Sequence, residues 1–303
     1  MSLASLLPRS VERRAIAVAA RAWLRPGSVA DGGVSDQPDA ALLAILAEPF
    51  SSVDDAHDRM VEAEAHLRGE ADRRSVFLTV YSSMTARVQA GIESGTFEDP
   101  SWTRSYLVDF ANRYREAVID FERGRGVPTP WELAFRASTG GTTLLIQDAL
   151  LGINAHINYD LPYTLRAVGI DPDRPAKHRD HTRINEVLQS LVDVVQRSLV
   201  EIYEAEGYRH LDRELGSFDE TFTLLGLTEA RALAWRNAVL LVDSRWGWVR
   251  RAVDWRIRAV ATGAAAFILA PSADRTVIRN LRDIEGDDPP IDGLVQAFNE
   301  LRR

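Results

Sequence analysis

In the stretch LLGINAHINYDLP, residues 150–162, His156 and Asp160 stand four positions apart among apolar neighbours. A helix turns about 100° per residue, so the two side chains lie about 40° apart and project from one face. An imidazole and a carboxylate so placed can hold a metal ion, take part in catalysis, or form a buried ion pair that ties helices together. Burying either group costs free energy unless it is paired, hydrogen-bonded or bound to a metal. An apolar segment carrying both therefore marks a candidate site.

Neighbouring positions extend the candidate. Asp148 lies on the same flank as His156, two turns earlier, as a further ligand or a general base. Gln147, Asn154 and Asn158 gather on the opposite face, while leucines and isoleucines fill most of the remainder. A surface helix has one polar and one apolar face. Polar groups on two sides of an apolar helix predict a central helix packed all round, whose polar side chains find partners inside the protein.

A second cluster, HRDHTRIN, places His178, His181 and Asn185 three and four apart. His181 opens a stripe that continues through Ile184 and Leu188, which aims it at the core. Were its helix to pack against the 142–160 helix, His156, Asp160 and His181 would converge. In the opposing reading His178 and His181 belong to a solvated first turn, where Asp180 favours the helix dipole. The metal-ligand candidates are thus His156, Asp160, His181 and His178, holding a divalent metal, and the catalytic candidates are Asp148, Asn154, Asn158 and Asn185.

Other motifs are weaker. Asp54, Asp55 and Asp58 have the spacing by which helical terpene synthases hold magnesium diphosphate, but they follow Ser52 in a first turn, where carboxylates are favoured anyway. The usual partner motif is missing, since Arg197 stands where a small hydroxyl residue belongs. Asp109 and Arg113 read as a surface pair. The Trp and Arg of RWGWVRRAVDWRIR fit an amphipathic packing helix with exposed Arg, or the lining of a ligand pocket. Gly-rich phosphate loops, nucleophile elbows and Cys/His zinc spacings are missing from the sequence.

The elements that must position these residues read as helix after helix. SVERRAIAVAARAWLR is a short amphipathic helix, followed by a linker at 26–40 rich in Gly, Pro and Asp. Ser52 stands three before Asp55, as an N-cap and its partner carboxylate. Leu107, Phe110, Tyr114, Ala117, Val118 and Phe121 recur at helical spacing until Gly124 ends the run. In TPWELAF, Thr129 reads as N-cap, Pro130 as first helical residue and Glu132 as its capping-box partner. Further helices follow at 184–199, at 228–242 and 248–270, and in two short pieces around 273–283 and 291–301. SVFLTVY (75–81) is the best strand signal, yet it runs into helix-compatible sequence. The prediction is all-α: a bundle of eight or more helices, with 1–40 an N-terminal helix and flexible linker and 41–303 one helical domain.

Composition bounds the function. The 303 residues are 46% hydrophobic, enough for a large core. Net charge is −8, with a single Lys, Lys177, and Arg for the other basic residues. No basic patch of the kind nucleic acids need is evident. With no Cys, disulfides, thiolate ligands and Cys nucleophiles are excluded. Residues 15–20, flanked by Arg14 and Arg21, are too short for a signal-peptide core, and the run 260–270 is too short to span a bilayer. A cytoplasmic protein without a membrane span is expected.

LLIQDALLGINAHINYDLP, followed by HTRINEVLQSLVDVVQ and preceded by VDFANRY and PTPWELAF, resembles the uncharacterised family called domain of unknown function 5995, over roughly residues 50–245. Asp148 stands where that family commonly has His. HINYDLP also looks like the His-x-x-x-Asp element of zinc-dependent phospholipase C and P1 nuclease. That likeness implies that His156 and Asp160 ligate metals that activate water for phosphoester hydrolysis. The chain departs from those enzymes in having only six His. Two readings stand: a metal-dependent, hydrolase-like enzyme, and a non-catalytic helical protein whose central network is structural, around a small-molecule ligand.

Overall fold

The computed structural model describes residues 37–141, 143–186, 188 and 226–270, with isolated positions at 17, 279, 282, 283 and 285. Among these residues there are helices and no strands. The helices are α1 (Ala40–Ile45), α2 (Val53–Gly69), α3 (Arg74–Glu93), α4 (Pro100–Glu122), α5 (Thr129–Thr139), α6 (Leu145–Asn154) and α7 (Leu161–Val168). They continue with α8 (174–186), α9 (Leu227–Asp243) and α10 (Gly247–Leu269). No described helix is long and apolar enough to cross a membrane. Apart from those isolated positions, the expected helix at 10–25, most of the 26–40 linker, the stretch 189–199 and the C-terminal pieces lie outside the described residues.

The predicted stripes are the buried ones. Leu107, Phe110, Tyr114, Ala117, Val118 and Phe121 all face the core from α4, and Gly124 turns the chain away at φ +64°, a conformation that costs a residue without Cβ least. SVFLTVY is helical rather than extended. It lies within α3, whose residues 74–85 are all buried. A helix buried on every side shows no polar face, so its β-branched and aromatic run reads as strand although it is not.

Two caps differ in detail from the sequence reading. Ser52 accepts the backbone N–H of Asp55, as expected, but the Asp55 carboxylate reaches back to Ser51 rather than Ser52. Helix α5 starts one residue earlier than predicted, with Pro128 in the N-cap position and no side-chain cap from Thr129.

The central element is a rod. Helix α6 runs without a break through a π-helical turn, Ala155–Asp160, into α7. The sequence predicted a helix from 142 to 160; the rod begins at Leu145 and continues past Pro162. A proline ring clashes with the carbonyl four residues before it and offers no N–H to bond it. The wide turn ends two residues before Pro162 and includes Asn158, whose carbonyl that clash would meet. Helices α3, α4, α5, α9 and α10 all pack against the rod, so it is enclosed as its two-sided polarity predicted.

Candidate functional site

His156 and Asp160 sit in the π turn, both buried. The His156 Nδ1 lies 3.0 Å from Asp160 Oδ2, and the same oxygen accepts the indole N–H of Trp131 at 2.9 Å. A carboxylate accepts, so the proton of the imidazole belongs on Nδ1. Burial pushes the His156 pKa below the ordinary histidine value, against the opposing pull of Asp160. The ring is therefore neutral at pH 7, with its lone pair on Nε2. That nitrogen is buried and has no hydrogen-bond partner among the described residues.

Aromatic rings hold the imidazole in place. Phe110 from α4 lies flat against it, Tyr81 from α3 presents an edge at 4.5 Å between centroids, and Phe77 an edge at 5.9 Å. Phe77 can approach because the rod carries Gly152, where a Cβ would come within 2.5 Å of its ring. On this side the ring lines an apolar cavity of about 70 Å³, shared with Phe77, Tyr81, Phe110, Asn158 and Arg231 among others. A single water needs about 10–15 Å³ on this scale. Behind the pair, Trp131 and Asp160 line a separate polar groove with Arg113, Tyr159, Tyr163 and Arg258. The His–Asp pair thus forms part of the wall between an apolar cavity and a polar groove.

The other predicted residues are dispersed. His181 is buried as its stripe predicted, but it does not join His156 and Asp160. Its Nε2 lies 3.1 Å from the Arg231 carbonyl, while Nδ1 lies 3.3 Å from both the Tyr106 hydroxyl and the Arg231 guanidinium. Burial, with Arg231 beside it, drives its pKa well below the usual value. Asn185 accepts from Arg231 Nε at 2.7 Å. His178 is exposed and rests against Trp235 at 4.8 Å. Among the described residues no group of three His, Cys, Asp or Glu is arranged to hold a metal ion. Both ring nitrogens of His181 are thus taken up by buried Arg231 and Tyr106 rather than turned to the His156–Asp160 pair.

Asp148 anchors the start of the rod. It accepts from Arg73 at 2.7 Å, from Ser138 at 3.2 Å and from Thr143. Burial pushes its carboxyl up, and the Arg73 guanidinium pulls it back. Arg73 also binds Glu285, which accepts the Leu145 N–H at the head of α6. On the far face, Asn154 donates to the Ala261 carbonyl and accepts from Asn158, and Gln147 donates to the Ile268 carbonyl. These amides tie the rod to α10. The Asp cluster lies on the surface: Asp54 binds Gln89, Asp55 the start of its own helix and Arg59, and Asp58 is exposed. Asp109 and Arg113 pair at 2.9 Å.

The spacing in sequence put Phe110 in the buried stripe of α4, but it marked neither Phe110, Trp131 nor Arg231 as part of the site. Each comes from another helix, and only packing against the rod and α8 brings it there.

Fold and site define an all-helical protein built round a buried His–Asp pair at a π turn. The chain belongs to DUF5995, a family of unknown function whose profile matches residues 53–271. No curated protein and no solved structure matches it.

Proposed function

We propose that the protein binds a small, largely apolar molecule in the cavity beside His156, and that Nε2 accepts a hydrogen bond from a hydroxyl or N–H of that molecule. The observation that carries this reading is that His156, whose buried Nε2 has no hydrogen-bond partner among the described residues, lines an apolar cavity. A buried acceptor without a donor costs about 1–3 kcal/mol. A ligand that brings the donor recovers that cost. Asp160 strengthens the acceptor, because a carboxylate on Nδ1–H raises the basicity of the far nitrogen. The same dyad is arranged as a general base for a ligand whose proton is acidic enough to transfer.

A metal-dependent hydrolase, the other reading of His-x-x-x-Asp, needs two or more further ligands beside Nε2. Asp160 is turned to Nδ1 and Trp131, and His181 is engaged with Arg231. The donor set of the described residues does not fit that chemistry.

The test compares p-cresol with toluene, which share a shape and differ by one hydroxyl. Thermal melts of the full chain should rise more with p-cresol, and the His156 ring resonances should move only with p-cresol. Equal shifts with the two probes and a stationary His156 signal would refute the reading. Zinc retained stoichiometrically, with a rise in melting temperature, would replace it by the metal reading.

A further inference from the structure

Among the described residues the exposed large hydrophobics are Val242, Trp246, Trp248 and Trp255, all within one corner of the fold. The three indoles are 67%, 52% and 56% exposed. Trp246 precedes α10, and Trp248 and Trp255 lie two turns apart on its outer face. The inner face buries Val249, Val253, Ile257 and Val260. The outer face therefore reads Trp248, Arg251, Ala252, Trp255, Arg258 at helical spacing, with Arg245 and Arg250 exposed beside it. No ion pair to Arg245, Arg250, Arg251 or Arg258 occurs among the described residues. Of the acidic neighbours, Asp243 is taken by Arg174 at 2.7 Å and Asp254 accepts from Tyr163. A chain of net charge −8 thus carries one face where arginines outnumber free carboxylates and indoles stand in solvent.

We propose that this face docks on the surface of an anionic phospholipid bilayer. Indoles favour the headgroup level, where the ring is partly desolvated and its N–H stays bonded. Guanidinium groups pair with lipid phosphates two-pronged. The arrangement suits a protein that lies on the bilayer, and none of the described helices is suited to cross one. The proposal uses no residue of the cavity and stands apart from the ligand reading.

The test mixes the full chain with vesicles of phosphatidylcholine alone or of phosphatidylcholine with phosphatidylglycerol, at low and high salt. The protein should sediment with the anionic vesicles at low salt, with a blue shift of tryptophan emission, and stay in solution with the neutral ones. Each Arg near a charged surface is worth about 1 kcal/mol, or roughly fivefold in partitioning. The double variant Arg250→Gln/Arg251→Gln should then bind about 30-fold more weakly. The triple variant Trp246→Ala/Trp248→Ala/Trp255→Ala should lose the partitioning, with an unchanged far-ultraviolet circular dichroism spectrum. No binding to anionic vesicles at low salt overturns the proposal, as does binding that the triple variant retains. A wild-type dimer that the Trp substitutions split, without vesicle binding, assigns the face to a second copy instead.

Discussion

The His156 imidazole lies flat on the Phe110 ring, with 3.4 Å between centroids and 10° between planes. With Asp160 on one edge of the imidazole and Phe110 on its face, neither rotation nor tilt is free, so Nε2 is fixed in direction before any ligand arrives. Phe110→Leu should remove the flat partner while keeping the site apolar. The expected cost is about 1–2 kcal/mol in urea unfolding, near the range for core substitutions of similar volume. The p-cresol preference over toluene should shrink with it, since the acceptor is no longer held. An unchanged preference would show that the stack does not position the ring.

Stability should depend on pH through two buried histidines. Burial holds both His156 and His181 below the ordinary value of 6.5, so both are neutral in the fold. Unfolded, each takes a proton once the pH falls below 6.5, and the unfolded state then binds more protons than the folded one. Their contribution is complete above pH 6.5 and is lost as the pH falls from there towards the lower folded values. Two such groups give a slope of at most about 2.7 kcal/mol per pH unit. Urea unfolding at stepped pH reads it, and His181→Asn should shallow the slope. Constant stability from pH 7 to pH 5 would contradict the assignment.

Gly152 is where the rod admits Phe77. Gly152→Ala places a methyl carbon 2.5 Å from the Phe77 ring, so Phe77 or the backbone must move. Overpacking of this kind costs about 1–3 kcal/mol even though alanine is the better helix former. Combining it with Phe77→Leu should return part of the loss in a double-mutant cycle. Additive costs would place the strain elsewhere.

Arg73 neutralises two buried carboxylates, those of Asp148 and Glu285. Arg73→Met takes this guanidinium away from both and should cost about 3–5 kcal/mol. Asp148→Leu in the same background should restore a measurable share, because it removes a buried carboxylate that has lost Arg73. The melting temperature of the two variants against wild type checks the order.

Much of the architecture was legible from the chain alone. Periodic apolar positions such as Leu107, Phe110 and Tyr114 fix which helical face is buried, because the period of the helix is a local property. Polar residues on two sides of the 145–160 segment implied an enclosed helix, since buried polar groups require partners. Local spacing also gave the His156–Asp160 pair, four residues being one turn. What spacing cannot carry is which other helix meets that turn. Trp131 on Asp160, Phe110 on His156 and Arg231 against His181 are contacts across 29, 46 and 50 positions of sequence. The packing of whole helices sets them, and no local pattern encodes them. The expected meeting of His181 with His156 failed for this reason: both are buried, but His181 is engaged by Tyr106 of α4 and by a buried arginine of α9. The π turn has causes of both kinds: Pro162 is a local one, readable in the chain, whereas the rings that clamp His156 come from α3 and α4 and are set by packing.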